Sequence, residues 1–394
     1  MRTNRILTAA FAASIAAMTS AHAGGFSRGS ADTDILYEEG NFNMRAGATV
    51  VAPQRGYETI AGAPATDSNF SDAYIVPTAA LKFNLTDDLR CAGTYTQPFG
   101  ASVTYGPQAI TAGIAADPAV PPNPPTGTAF TKFSTDEFGA TCAYRFAAGK
   151  GNFWVLGGVF VENISYEEAN RIGAAVGPLG VLRLQEDGAL GYRLGAAYTI
   201  PDIALKVEGM YRSAVEHNLA GTFDVNSTPM LDNPFANGAA TLPQSFELKV
   251  QSGIAPGWLA FGSVKWTDWS VFQRLTYFAS VPGQFKEFRY QDGWTVTAGI
   301  GHAFTDNISG ALSLTWDKGV ATTEDAAFDT WTLAGGVSMT DSIGGQLRLG
   351  GAVSLLQGGA VGAEAGPGLP GAAFAYSVGT DFAFAASGSY SVKW

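Results

Sequence analysis

From Phe374 to Trp394 the chain alternates almost without a break. Phe374, Tyr376, Val378, Phe382, Phe384, Tyr390, Val392 and Trp394 fall on one face, and Ala375, Ser377, Asp381, Ala383, Ser387, Ser389 and Lys393 on the other. A period of two means a strand with unlike faces. Ordinary strands run about five or six residues, so this one is long. An apolar face, a small or polar face and an aromatic end are the pattern of a strand that crosses a bilayer within a closed barrel.

The N-terminus agrees with export. Arg2 and Arg5 precede an Ala-rich apolar stretch from Ile6 to Met18, and Ala21-His22-Ala23 reads as a small-x-small cleavage site. Residues 1–23 are therefore expected to be a signal peptide, outside the fold. No later segment has the roughly 18 uninterrupted apolar residues of a membrane helix. Export combined with barrel strands points to the outer membrane of a Gram-negative bacterium. The composition suits that solvent, with 49 Gly, 25 Phe and only 14% charged residues. The net charge of −11 argues against nucleic acid as a partner, because binding its phosphates needs clustered Lys and Arg.

Fourteen strands are predicted, near 43–58, 72–85, 88–105, 130–147, 151–168, 186–200, 202–217, 244–255, 257–273, 285–304, 306–317, 327–340, 343–357 and 373–394. Short connections carry turn residues, as in Gly149-Lys150-Gly151, Pro256-Gly257 and Thr340-Asp341-Ser342. Long ones lie near 59–71, 106–129, 169–185, 218–243, 274–284, 318–326 and 358–372. Short periplasmic turns alternating with long external loops require an even strand number. The loop from Asp117 to Pro125 is too rich in Pro to join a ladder, and the loop around Glu167 to Glu186 is expected to hold a short amphipathic helix. Gly24 to Asn41 has no alternation, and Asp32, Asp34, Glu38 and Glu39 keep it out of lipid. It is expected to be a hatch in the lumen, giving a domain plan of 24–42 hatch and 43–394 barrel. A barrel has no exposed strand edge, so a monomer is expected.

At Lys265-Trp266-Thr267-Asp268-Trp269-Ser270-Val271-Phe272-Gln273-Arg274-Leu275 the sequence resembles the FadL/TodX family of outer-membrane transporters for long-chain fatty acids and other hydrophobic compounds. Leu242-Pro243-Gln244, Tyr211-Arg212-Ser213, Ala143-Tyr144-Arg145-Phe146 and the start Gly24-Gly25-Phe26 are similar to that family as well. The resemblance implies an all-β, fourteen-stranded antiparallel barrel with a short N-terminal hatch. Hydrophobic molecules, fatty acids or aromatic hydrocarbons, would be captured outside, passed to a lumen site near the hatch and released sideways into the membrane. One departure is clear: the family's Asn-Pro-Ala hatch motif is absent from Asp34 to Met44.

Several residues stand out. Pro98 lies inside the third strand, before Phe99 and Gly100. Proline removes a ladder donor, and a closed barrel has no edge on which to hide it, so a kink or bulge is expected. In the resembled family such a kink opens the wall laterally. The bland alternative is that Pro98 only begins the external part of the strand. By resemblance, Phe26 inserts into the apolar lumen site and is moved by ligand; the alternative is a disordered terminus. Cys91 and Cys142 fall in phase on consecutive strands and could bridge or remain two lipid-facing thiols. Inward charges at Arg193, Lys206, Glu208, Arg212, Glu247, Lys249, Lys265 and Arg348 read as a salt-bridge lattice, with one cation available to a substrate carboxylate as the functional alternative.

Nothing places a Ser beside His217 or His302, and no metal or cofactor motif is present, so no catalytic residue is assigned. The expected function is passive transport of hydrophobic compounds through outer-membrane lipid and lipopolysaccharide. The alternatives are a general diffusion porin for small polar solutes and a surface receptor that uses the long loops.

Overall fold

The computed structural model describes residues 25–117, 124–226, 232–279, 284–323, 325–364 and 371–394. The expected signal peptide and most of the Pro-rich run after Asp117 lie outside them.

Fourteen strands close into one antiparallel barrel. In chain order they are β1 (Phe42–Pro53), β2 (Tyr74–Asn84), β3 (Leu89–Thr96, continued by Gly100–Thr104), β4 (Thr126–Ala148), β5 (Gly151–Ile172), β6 (Leu179–Ile200) and β7 (Leu205–Arg212, continued by Val215–Val225). The second half is β8 (Asn233–Leu242 and Ser245–Ala255), β9 (Trp258–Thr267 and Arg274–Phe278), β10 (Gln284–Glu287 and Gly293–Ala303), β11 (Ile308–Asp317), β12 (Thr330–Thr340), β13 (Gln346–Leu356) and β14 (Asp381–Lys393). β1 pairs with β14 on one side, Met44 opposite Val392, and with β2 on the other, so the ladder has no free edge. Outward positions are apolar and exposed along the strands, among them Ile75, Val159, Leu194, Leu312, Leu333 and Phe384. No described helix is long and apolar enough to cross a membrane.

The turns at Gly149, Gly257 and Gly344 have positive φ, which suits the glycines at these tight periplasmic corners. The external side departs from expectation. The stretch around Glu167 to Glu186 is not a helix: β5 and β6 continue upward as a hairpin, from Thr126↔Ile172 on the β4 side to Arg171↔Leu179 across the tip. Alternating residues such as Tyr166, Glu168, Leu182 and Leu184 turn inward there and bury. The 218–243 loop is likewise largely strand, through Asn218↔Ala239 between β7 and β8. The external helix α1 (Pro107–Ala116) lies instead just after β3, where Asp67 accepts hydrogen bonds from the amides of Gln108 and Ala109 and so caps its start. That cap comes from a distant loop, which local spacing does not reveal. The long alternation before Trp394 is also interrupted. Tyr376–Val378 joins a small external sheet with Tyr57–Ile60 and Gly359–Val361, and β14 begins only after Gly379.

The hatch enters the lumen from the periplasmic side. Thr33–Tyr37 forms one turn of 3-10 helix, and Ile35 and Leu36 pack against Ala80, Ala92, Ala143, Trp154, Leu156 and Ala197. Alanines on the wall leave room for the plug. Ionic contacts lock it. Arg45 meets Asp32 at 2.5 Å and also Glu38, and Lys206 meets Asp34 at 2.5 Å. The fully buried Lys82 ammonium donates to the carbonyls of Glu38 and Gly40, at 2.8 and 2.6 Å. Burial alone would raise the Asp34 carboxyl, but the ammonium groups of Lys206 and Lys249 outweigh it and hold it well below the usual carboxylate range.

Candidate functional site: an aromatic cage beside a break in the wall

At one level of the barrel several strands lose their regular ladder. β3 breaks at Gln97-Pro98-Phe99, β7 at Ser213-Ala214, β8 at Pro243-Gln244, β9 between Thr267 and Arg274, and β10 between Glu287 and Gly293. The β9 interruption is the Trp-Thr-Asp-Trp-Ser string singled out above. Asp268 donates its amide to the Gln244 carbonyl (3.0 Å) and accepts from the Gln244 side chain (2.9 Å) and the Ser270 hydroxyl (2.7 Å). The next turn, Trp269–Val271, is a 3-10 helix. Gln273 then ties this turn to β10, its side chain donating to the Tyr290 carbonyl at 3.0 Å. The result folds the wall inward and presents Trp269 and Phe272 to the lumen.

These rings form a cage, and the chain's own N-terminal strap fills it. Phe26 stands edge-on to Phe133 (5.1 Å between centroids), Trp269 (5.8 Å), Phe272 (5.9 Å) and Phe288 (5.6 Å), with Tyr290 at 5.5 Å. Phe99 packs on Trp269 at 5.5 Å. Burying one such ring contributes about 2–3 kcal/mol, and edge-to-face pairs add about 0.5–1.5 kcal/mol each. The preceding Gly25 has φ +61°, and a Cβ there would come within 2.8 Å of the Trp269 ring, so glycine alone fits.

Beside the cage the ladder between β2 and β3 is interrupted. β2 pairs with β3 from Asn84↔Arg90 up to Ala79↔Tyr95 and no further. Pairing resumes only above, where Asp72 donates to the Ser102 carbonyl (3.0 Å) and Thr104 to the Phe70 carbonyl (2.8 Å). Tyr74 to Thr78 thus face the Pro98 break without a ladder. The strap closes this window from inside: Arg28 N–H donates to Pro98 O (2.8 Å), Gly29 N–H to Gln97 O (2.9 Å) and Gly100 N–H to Phe26 O (2.9 Å). The Arg28 guanidinium lies 4.0 Å over the Tyr74 ring. Gly100 leaves space for it, since a Cβ would stand 2.7 Å from that guanidinium. Ile75 on β2 and Phe138 on β4, opposite Tyr95 of β3, are 57% and 52% exposed on the outer surface.

Charged groups line the lumen around the cage. Arg193 and Arg212 share Glu137 at 2.5 and 3.0 Å, Arg212 also meets Glu162 at 2.5 Å, and His217 lies between Glu162 (3.1 Å) and Glu186 (2.8 Å). Lower down, Lys249 approaches Asp34, Glu208 and Glu247 at 3.6–3.9 Å, and Arg348 approaches Glu38 at 3.8 Å. Most of the inward charges read from the sequence therefore join the lattice; for Lys265 no ion pair is described. His302 is remote, stacked on Trp258 at the periplasmic rim. Above the cage, Lys286 reaches Glu168 and Thr131, both at 3.3 Å, and Tyr166 donates to Glu168 at 2.7 Å.

Cys91 and Cys142 lie opposite each other on β3 and β4, below the break, with an S–S distance of 2.07 Å. Sequence reasoning singled out Phe26, Pro98, Phe99, Gly100 and the cysteines, and the structure brings the first four to one place. It missed Arg28 and the cage residues Phe133, Phe288 and Tyr290. Only Trp269 and Phe272 carried a signal, as members of a string noted for its resemblance rather than for its geometry.

Fold and site together define an outer-membrane β-barrel channel whose lumen is filled by its own N-terminus. The chain belongs to the family described as outer membrane protein transport protein (OMPP1/FadL/TodX), whose model matches residues 13–310. Among solved structures it is similar to a Pseudomonas aeruginosa FadL homologue, with TM-score 0.68 and 15% identity over 94% of this chain and 96% of that one. It is also similar to the P. putida toluene transporter TodX (TM-score 0.60, 14% identity, 91% and 92% covered). The Ralstonia pickettii toluene transporter TbuX gives TM-score 0.62 at 13% identity, with 91% and 90% covered. No curated protein matches the chain in sequence. Family membership makes it an outer-membrane transporter of hydrophobic compounds.

Proposed function

We propose that the protein carries long-chain fatty acids or other hydrophobic molecules passively across the outer membrane and releases them sideways between β2 and β3. The observation that carries this reading is the position of Phe26, an apolar side chain of the strap that occupies an aromatic cage directly beside a window in the wall. A site that holds a benzyl group at rest can hold an apolar ligand in its place. The strap that vacates the cage is the same segment that closes the window, so entry of ligand and opening of the exit are linked. The apolar flanks at Ile75 and Phe138 support release into lipid rather than into water. Lys286, on the outer side of the cage, supports a carboxylate head among the substrates, with the chain supplying most of the binding at roughly 0.8 kcal/mol per buried methylene. The closed wall supports a monomer set in outer-membrane lipid and lipopolysaccharide.

The test is uptake of labelled oleate and toluene by cells lacking their own outer-membrane transporters for these compounds, with an empty-vector control. Uptake of either above control is expected, together with little steady ion conductance in planar bilayers. Steady conductance without hydrophobe uptake would instead mark a diffusion porin.

A further inference from the structure

Trp269 is 0% exposed, and its indole N–H has no hydrogen-bond partner among the described residues. A buried, unpaired donor is costly and uncommon. Its neighbours explain why it is unpaired at rest. Around it stand Phe26, Phe99, Phe272 and Tyr290, and the Tyr290 hydroxyl is already committed to Asp325 at 2.6 Å. The pyrrole edge that carries the N–H lies between the strap and the wall: a Cβ on Gly25 would meet Cε2 at 2.8 Å, and one on Gly293 would meet Cδ1 at 3.1 Å. Withdrawal of Gly25 and Phe26 uncovers that edge toward the space the benzyl ring leaves.

We infer that Trp269 is a specificity-determining residue, and that its N–H selects hydrophobic molecules that carry a neutral oxygen acceptor, such as a ketone, ester or hydroxyl oxygen, over plain hydrocarbons of the same shape. The inference rests on the transport reading above. A neutral oxygen suits the site because one N–H in an apolar cage cannot compensate a desolvated carboxylate; a charged head is better served by Lys286. The cage holds one benzyl group, so the matching ligand end is about one ring in size. A site with a buried polar group discriminates against the analogue that leaves it unpaired far more than an apolar pocket discriminates by shape.

The test uses acetophenone and isopropylbenzene, which are close in shape and differ in the acceptor, titrated calorimetrically into purified full-length barrel in detergent. Wild-type protein should prefer acetophenone. Trp269→Phe keeps a ring in the cage and removes the donor, so the ratio of the two affinities should move roughly three- to tenfold toward isopropylbenzene. An unchanged ratio with both ligands bound overturns the inference and leaves the transport reading intact. Wild-type protein that is folded yet binds neither ligand overturns the inference, and the transport reading is then decided by the uptake of oleate and toluene. If the variant does not fold, ¹⁵N-indole spectra of the wild type decide. One of the eight tryptophan N–H signals should move downfield with acetophenone and not with isopropylbenzene, and absence of that shift overturns the inference.

Discussion

Phe26 competes with any ligand for its own cage, which gives the residue a direction of effect. Phe26→Ala leaves the rings of Phe133, Phe272 and Phe288 in place and empties the space between them. A hydrophobic ligand then no longer has to displace a buried benzyl group, and its affinity should rise by about tenfold or more in calorimetric titration. Unchanged affinity would mean that ligand binds elsewhere in the lumen. The two cysteines act at the same scale. Intact mass with and without reductant should differ by two hydrogens, and reduction should lower the melting midpoint, because the bond closes a segment of 51 residues in the unfolded chain. The same mass in both conditions would show two free thiols.

At the scale of the element, the informative feature is the break in β3. Proline at 98 offers no amide to a ladder, and Gly100 accepts the Arg28 side chain against its backbone. Pro98→Thr restores one donor and should slow hydrophobe uptake several-fold, since one recovered hydrogen bond is worth about 1 kcal/mol. The barrel should still insert and fold. Uptake at the wild-type rate would assign the break a structural role only. Gly100→Val is the poorer choice, because its side chain collides with Arg28 and disturbs the strap as well as the strand. The Trp-Thr-Asp-Trp-Ser turn works in the opposite sense: Asp268 and Gln273 satisfy the polar groups that leaving the ladder exposes, so β9 folds inward without opening the wall.

For the whole molecule, the lumen divides into two kinds of contact. The hatch is fastened mainly by charge, through Arg45, Lys206 and Lys82, with Ile35, Leu36 and Tyr37 making a small apolar seat. The strap ahead of it is fastened by the Phe26 ring, the Arg28 guanidinium over Tyr74 and three backbone hydrogen bonds. An apolar ligand competes with the strap and has nothing to offer the ionic hatch. Movement should therefore concentrate in the strap, consistent with a channel that admits hydrophobes while its periplasmic end stays plugged.

The sequence by itself determined the barrel. Period-two alternation, turn residues at alternate connections and an aromatic terminus depend only on which side chains can face lipid, and they are local. It also marked Pro98, since the missing amide is a property of one residue. The external helix and the extended hairpins are less legible because what fixes them is not local: Asp67 caps α1 from another loop, and Tyr166 and Leu182 bury in a cluster with Leu219, Ala236 and Leu275 from distant parts of the chain. Only the tertiary structure decided the site. The cage draws on the N-terminus, β4, β9 and β10, separated by more than a hundred residues at its widest, and no spacing rule links Phe26 to Phe133, Phe288 or Tyr290. Nor could sequence show that the donor of Trp269 is left unpaired, because an unmet hydrogen bond is a property of everything that surrounds it.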